Sequence, residues 1–174
     1  MKRTIKMTMM VALGCLGLFV GCEMKVPNPL IGCYVLPAES VGASEYHLAA
    51  LSLRNDGTFT YVEVISGTSE IRTVEGKYEM ELQAYNFLAA DGNLYLTVED
   101  IPVDVEDLVL TKGVNPFLYD WACDKDKGPQ SLTLVRDEAN PGKNLELTYK
   151  GGPDVLSRTL EELQAESQHW EDIL

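Results

Sequence analysis

The feature that most constrains this chain is its punctuation. From Gly32 to Tyr149, short runs rich in Val, Leu, Thr and aromatic residues are interrupted at close intervals by Gly, Asn, Asp and Pro. Runs of this length, apolar at every second position and bounded by residues that tolerate turn geometry, read as half-buried strands rather than helices. Residues 32–36, 47–53, 58–65 and 71–80 carry the alternation most clearly. Residues 84–88, 94–98, 108–110, 132–136 and 145–149 complete the series. Asn55-Asp56-Gly57 is a hairpin signal because Gly accepts the positive φ such turns need. Ser66-Gly67-Thr68, Asp91-Gly92-Asn93 and Asn140-Pro141-Gly142-Lys143 read as further turns. A chain of 174 residues has room for one core. The pattern predicts a mainly β, antiparallel domain over residues 32–150, an up-and-down barrel or a sandwich.

Both ends depart from this pattern. Gly151-Gly152-Pro153 stops the last strand, and Asp154 is placed to cap a helix reaching about Trp170, within a terminal segment of residues 153–174. Leu156, Leu160, Leu163 and Trp170 form one apolar stripe, with Glu161, Glu162, Glu166 and Glu171 on the other faces. The stripe is expected to pack on the sheet wall; the alternative is a helix offered to a partner's groove.

At the start, Lys2, Arg3 and Lys6 precede an apolar run from Met7 to Val20, the length of a signal-peptide core and too short for a membrane span. Leu18-Phe19-Val20-Gly21-Cys22 follows. It resembles the lipobox of bacterial lipoproteins, with Leu18 one place further upstream than usual and bulkier residues at 19 and 20. The resemblance implies a signal peptide over residues 1–21, lipidation of Cys22 by diacylglycerol and an amide-linked palmitate-type chain, and a lipidated tether over residues 22–31. A multi-chain anchor of that kind holds a protein stably, since each buried methylene adds about 0.8 kcal/mol. Glu23, rather than Asp, after the lipidated residue implies the outer membrane, on its periplasmic face.

With Cys15 in the leader and Cys22 lipidated, Cys33 and Cys123 remain. In an oxidising compartment they are expected to form a disulfide, the rival being two buried thiols. Closing a loop of roughly ninety residues is worth up to about 4–5 kcal/mol in the chain-entropy account.

A second resemblance rests on Gly32-Cys33-Tyr34, on Leu51 to Tyr61 with its Asp56-Gly57-Thr58-Phe59 turn, and on Gly76-Lys77-Tyr78. These segments are similar to the lipocalin-like lipoproteins of bacterial envelopes, in which Gly-X-Trp opens the first strand. The resemblance implies a small lipocalin-like barrel with a C-terminal helix and an interior able to take a small apolar or amphiphilic ligand. Tyr34, Phe59, Tyr61 and Tyr95 are the candidate lining residues, and Arg136 the candidate partner of the first-strand aromatic. Tyr34 stands where the family has tryptophan.

Charge and motif content bound the function further. The three basic residues of the leader depart with it and the leader holds no acid, so 14 basic side chains fall to 11 against 27 acidic, and the net charge moves from −13 to −16. Such a field disfavours nucleic acid and anionic lipid and favours cationic partners, such as a basic protein. His47 and His169 have no second histidine or cysteine at ligand spacing, so no metal site is expected. Asp124-Lys125-Asp126-Lys127-Gly128 resembles a calcium loop but lacks its third ligand and its distal glutamate. The acidic residues Glu99, Asp100, Asp104, Glu106 and Asp107 read as a solvated loop. No nucleophile elbow, phosphate loop or dinucleotide fingerprint occurs, so neither catalysis nor a cofactor is expected. Two classes stay open: an anchored binding protein for a small apolar ligand, and an acidic interaction module or inhibitor acting on a basic protein.

Overall fold

The structure is a computed structural model that describes residues 28–36, 47–65, 70–101, 110–136 and 144–171. The leader, Cys22, the tether as far as Pro27, and the turns expected at Ser66-Gly67-Thr68 and Asn140 to Lys143 lie outside these residues. Eight antiparallel strands follow one another round a closed barrel: β1 (Gly32–Leu36), β2 (His47–Leu53), β3 (Thr58–Ile65), β4 (Glu70–Asn86), β5 (Ala89–Val98), β6 (Gly113–Asp124), β7 (Gly128–Val135) and β8 (Leu145–Gly151). Tyr34 pairs with Tyr149 and Val35 with Thr148, so β8 closes on β1 and no sheet edge is left open. This is a lipocalin-like barrel, followed among the described residues by one α-helix, α1 (Leu156–Glu171).

The pairing also sets the tilt. A circuit from Asn86 through Ala89, Ala122, Ser131, Thr148, Val35, Ala50 and Val62 comes back to β4 at Thr73. The barrel therefore closes with a stagger of about a dozen residues, which tilts the strands steeply and widens the lumen. Eight strands give an interior that side chains can fill or that can hold one small ligand.

Alternation along the strands sorts side chains between lumen and outer wall. Tyr34, Leu51, Leu53, Phe59, Tyr61, Val74, Leu94, Leu96, Phe117, Tyr119, Trp121, Leu132 and Leu147 belong to the buried lumen cluster. Gly76 is required where β3, β4 and β5 meet, because a Cβ there would strike the Thr97 carbonyl and the Phe59 ring. Ahead of β1, Leu30 is fully buried in the lumen cluster, and the Asn28 amide donates to the Tyr78 hydroxyl at 2.8 Å. The last residues of the expected tether are thus part of the domain and plug one end of the barrel.

The outer wall carries a second, smaller cluster. Val35, Leu48, Ala50 and Val64 are covered by Leu163 and Leu156 of α1, which lies on β2 and β3. The apolar stripe of the helix packs on the barrel as expected at these positions; the side chain of Trp170 is outside the described residues. A 3-10 turn, Pro153–Val155, precedes α1, and Gly152 is its cap residue, with no side-chain hydrogen bond. Asp154 is therefore inside the first turn and does not cap, because Pro153 already starts the coil one residue earlier.

Several sequence expectations are corrected. β6 was not foreseen: it contains Pro116, which a central strand would exclude, but the β6–β7 ladder begins only at Leu118, so Pro116 pairs on one side alone. Leu110 is outside any strand; Leu108 is not among the described residues. Asp91-Gly92-Asn93 is not a turn but the middle of β5, where Gly92 faces the bulge between Leu82 and Ala84 of β4. A Cβ on Gly92 would run into the Glu81 carbonyl. The turn lies a few residues earlier, at Phe87-Leu88, so residues 84–88 are the end of β4 and its turn rather than a separate strand. Asn55-Asp56-Gly57 turns as expected: Gly57 has φ +83°, and Asp56 Oδ1 accepts from the Thr58 amide at 2.9 Å and the Thr58 hydroxyl at 2.6 Å. These bonds hold the Asp56 carboxyl below its ordinary pKa.

Candidate functional site: the barrel lumen

Among the described residues, three buried polar atoms without a hydrogen-bond partner lie together inside the barrel. The hydroxyls of Tyr34 and Tyr119 and the indole Nε1 of Trp121 are buried without hydrogen-bond partners. Tyr34 is fully buried, Tyr119 3% and Trp121 5% exposed. Such groups are uncommon because each forfeits its hydration, at a cost of about 1–3 kcal/mol. Tyr34 comes from β1, its ring edge-on to Tyr149 of β8 at 5.5 Å between centroids. Tyr119 and Trp121 come from β6, two residues apart and so on the same face. Trp121 lies close enough to the Tyr34 hydroxyl to work against the rise in its pKa, but the two do not meet in a well-formed hydrogen bond. Burial raises the pKa of Tyr34 well above that of free tyrosine and pushes Tyr119 up to about 12.

A second polar group sits further along the same wall. Glu63 is only 2% exposed, and its Oε1 accepts a hydrogen bond from the Tyr61 hydroxyl at 2.7 Å. Burial, then the neighbouring Glu63 carboxylate, drives the Tyr61 pKa far upward. In the β-ladder Glu63 faces Arg72 of β4. The lumen wall thus carries aromatic and aliphatic surface, two uncommitted hydroxyls, one indole N–H and a carboxylate bonded to a third hydroxyl.

Compared with family models, with curated proteins and with solved structures, the chain matches none of them. What the lumen can do rests on its own geometry.

The structure separates the four candidate lining residues. Tyr34, Phe59 and Tyr61 are together in the lumen, each at most 2% exposed. Tyr95 is not. It alternates with Leu94 and Leu96, which face inward, so its ring lies on the outer wall with the hydroxyl 3.2 Å from Glu81 Oε2. Tyr119, Trp121 and Glu63 were missed. The run Phe117-X-Tyr119-X-Trp121 carries the period of two that would have revealed the first pair, but Pro116 disguised the strand.

The expected disulfide is not formed; Cys33 and Cys123 are both free. Strand alternation explains why. Cys33 alternates with Tyr34 and Leu36 and so lies outside the wall, under α1, with its thiol 3.9 Å from Thr159 Oγ1. Cys123 packs against the lumen cluster on the inside of β6. The two thiols are on opposite sides of the sheet, and burial pushes the Cys33 thiol up in pKa. The Arg136 guanidinium lies 5.7 Å from the centroid of Phe117 in the lumen cluster, and it donates to Asn115 Oδ1 at 2.9 Å.

Two other clusters are structural. Asp124 Oδ1 accepts from the amides of Asp126 and Lys127, so the stretch resembling a calcium loop is the β6–β7 turn with its carboxylate already engaged. An open cleft of about 340 Å³ lies between Arg54, Thr58, Glu75, Lys77 and Glu99. Its two cations face two carboxylates, and Arg54 is held by Thr58 and Thr60, so its charges satisfy one another. No helix among the described residues is long and apolar enough to cross a membrane.

Proposed function

We propose that this protein is a lipid-anchored binding protein of the bacterial envelope, held at the outer membrane through Cys22, whose barrel takes one small amphiphilic molecule. The observation that carries the reading is the set of buried, unpartnered donors at Tyr34, Tyr119 and Trp121 inside an apolar lumen. Ligand sites are apolar enclosures with a few convergent polar groups that fix orientation. The indole N–H can only donate, and the hydroxyls do so readily, so the matching ligand has an apolar body and an acceptor oxygen such as a carbonyl, ester or carboxylate. Accepting from these groups would restore the hydrogen bonds that folding removes. Chemistry at this site needs no cofactor and no catalytic group.

Native mass spectrometry of the processed protein, exported to the periplasm and purified gently, tests the binding reading. A retained adduct of lipid-like mass, lost in Tyr34→Phe and Trp121→Phe variants, supports it. A bare mass in repeated preparations, with no uptake of added fatty acid or lysophospholipid, overturns it. The mass of the N-terminal peptide tests the anchor separately: a diacylglyceryl group on Cys22 supports that part, and an unmodified cysteine removes it.

A further inference from the structure

The β4–β5 hairpin ends in a feature that folding does not explain. Its two loop positions are Phe87 and Leu88, 85% and 48% exposed. Two-residue hairpin loops ordinarily hold Gly, Asn or Asp, which suit the backbone and the solvent. Here the turn chemistry is supplied from outside the loop. Asn86 Oδ1 accepts from the amides of Leu88 at 2.8 Å and Ala89 at 2.9 Å, and the Leu88 carbonyl accepts from the Cys123 amide at 2.7 Å. The backbone of the tip is therefore fixed, while Phe87 stands 85% exposed with its ring edge-on to Tyr85 at 6.1 Å. Neither loop side chain is needed for the turn, and a large apolar pair in solvent has no stabilising role.

The position of the tip supplies the partner. In an up-and-down barrel, alternate connections fall at opposite ends. The β2–β3, β4–β5 and β6–β7 turns share one end with the segment that leads into β1. The chain reaches the barrel there at Asn28, next to the plug residue Leu30. Cys22 lies six residues before Asn28, a reach of at most about 20 Å even when fully extended. β4 also continues from Tyr78 to Asn86 beyond its last pairing with β3, at Lys77, so this hairpin extends past the β2–β3 turn.

We infer that Phe87 and Leu88 form a wedge that inserts into the surface of the bilayer to which the chain is anchored, fixing the barrel with this end against the membrane. The inference rests on the lipid-anchor part of the proposed function. A short tether alone would leave the domain free to rotate; a second, apolar contact removes that freedom. Aromatic and leucine side chains partition favourably at the headgroup–acyl boundary. On the adjoining β6–β7 turn Lys125 lies 3.9 Å from Asp126, so cation and anion are balanced there and the contact is apolar rather than charge-driven.

The test uses the processed full chain in vesicles of phosphatidylethanolamine and phosphatidylglycerol carrying bromine near the top of the acyl chains. Phe87→Trp reports on the tip; Val114→Trp, at a 61% exposed site near the other end of the barrel, is the control. After subtraction of the wild-type emission, F87W is expected to be quenched about twofold and shifted to the blue, independent of salt, as for a residue at the headgroup–acyl boundary, and V114W to be unaffected. Protein that floats with the vesicles but shows F87W quenched no more than V114W overturns the wedge and leaves the anchor standing. Protein that fails to float overturns the anchor, and the wedge with it.

Discussion

The two apolar clusters of this protein are separated by the thickness of one sheet and built on different rules. Outside the wall, under α1, Val35, Leu48, Ala50, Val64 and Leu163 pack together, and the buried Thr159 hydroxyl beside them is satisfied by donating to the Val155 carbonyl at 3.0 Å. Inside, the lumen is crowded with tyrosine and tryptophan, three of whose polar atoms are buried without partners. The first arrangement is what stability favours, since nothing in it must be desolvated without return. The second gives up stability at Tyr34, Tyr119 and Trp121, which is the usual sign of a surface shaped for something other than itself.

That contrast can be broken first with alkali. Burial raises the pKa of Tyr34 and Tyr61, and of Tyr78 and Tyr119 to about 12 in each case. A raised folded-state pKa means that the unfolded chain releases its proton first. The stabilisation is complete below the ordinary tyrosine value near 10 and is lost as pH climbs toward 12. Unfolding followed by circular dichroism should therefore set in above pH about 10 and coincide with tyrosinate absorbance near pH 12. Tyrosinate appearing with the barrel intact would mean that the lumen is wetter than its burial indicates.

The outer cluster should respond to truncation instead. Leu163→Ala removes a side chain that is 3% exposed, and is expected to cost about 2–4 kcal/mol in urea unfolding. Because the site is across the wall, ligand uptake by the fraction that remains folded should be unchanged. A Leu163→Ala protein that is as stable as the parent would show that α1 is dispensable to the barrel. The smallest and most telling change is Tyr34→Phe. Deleting a hydroxyl that has no partner should leave the empty barrel as stable or up to about 1 kcal/mol more so, while ligand binding falls. Loss of stability by more than that would assign the hydroxyl a structural bond and remove it from the candidate site.

How far these features were legible depends on whether a residue's neighbours declared which side of the wall it faces. The β2–β3 hairpin was readable because Asp56-Gly57 supplies both the turn bond and the positive φ, and the strands beside it alternate cleanly. β6 was not, because Pro116 and the outward-facing apolar residues Val114 and Leu118 blur a period of two that Asn115, Phe117, Tyr119 and Trp121 otherwise keep. The Cys33–Cys123 disulfide failed for a related reason. Counting cysteines says how many can pair, whereas the parity of each along its strand places one under the helix and the other in the lumen. Tyr95 could have been rejected on parity alone, given Leu94 and Leu96 beside it. The turn at Phe87-Leu88 was hidden because Asn86, outside the loop, does the work usually done within it.

The closing pair of strands has a consequence in time as well as space. β1 is made before the six strands that follow it and β8 after them, yet Tyr34 lies beside Tyr149 and Val35 beside Thr148. Until the last strand emerges, the first has β2 alone to pair with, and the barrel cannot seal. Contacts of such long sequence separation slow folding, because chain entropy must be surrendered before they form. A barrel built this way remains open until its eighth strand is out, a useful property for any chain that must be threaded through a narrow pore before it folds.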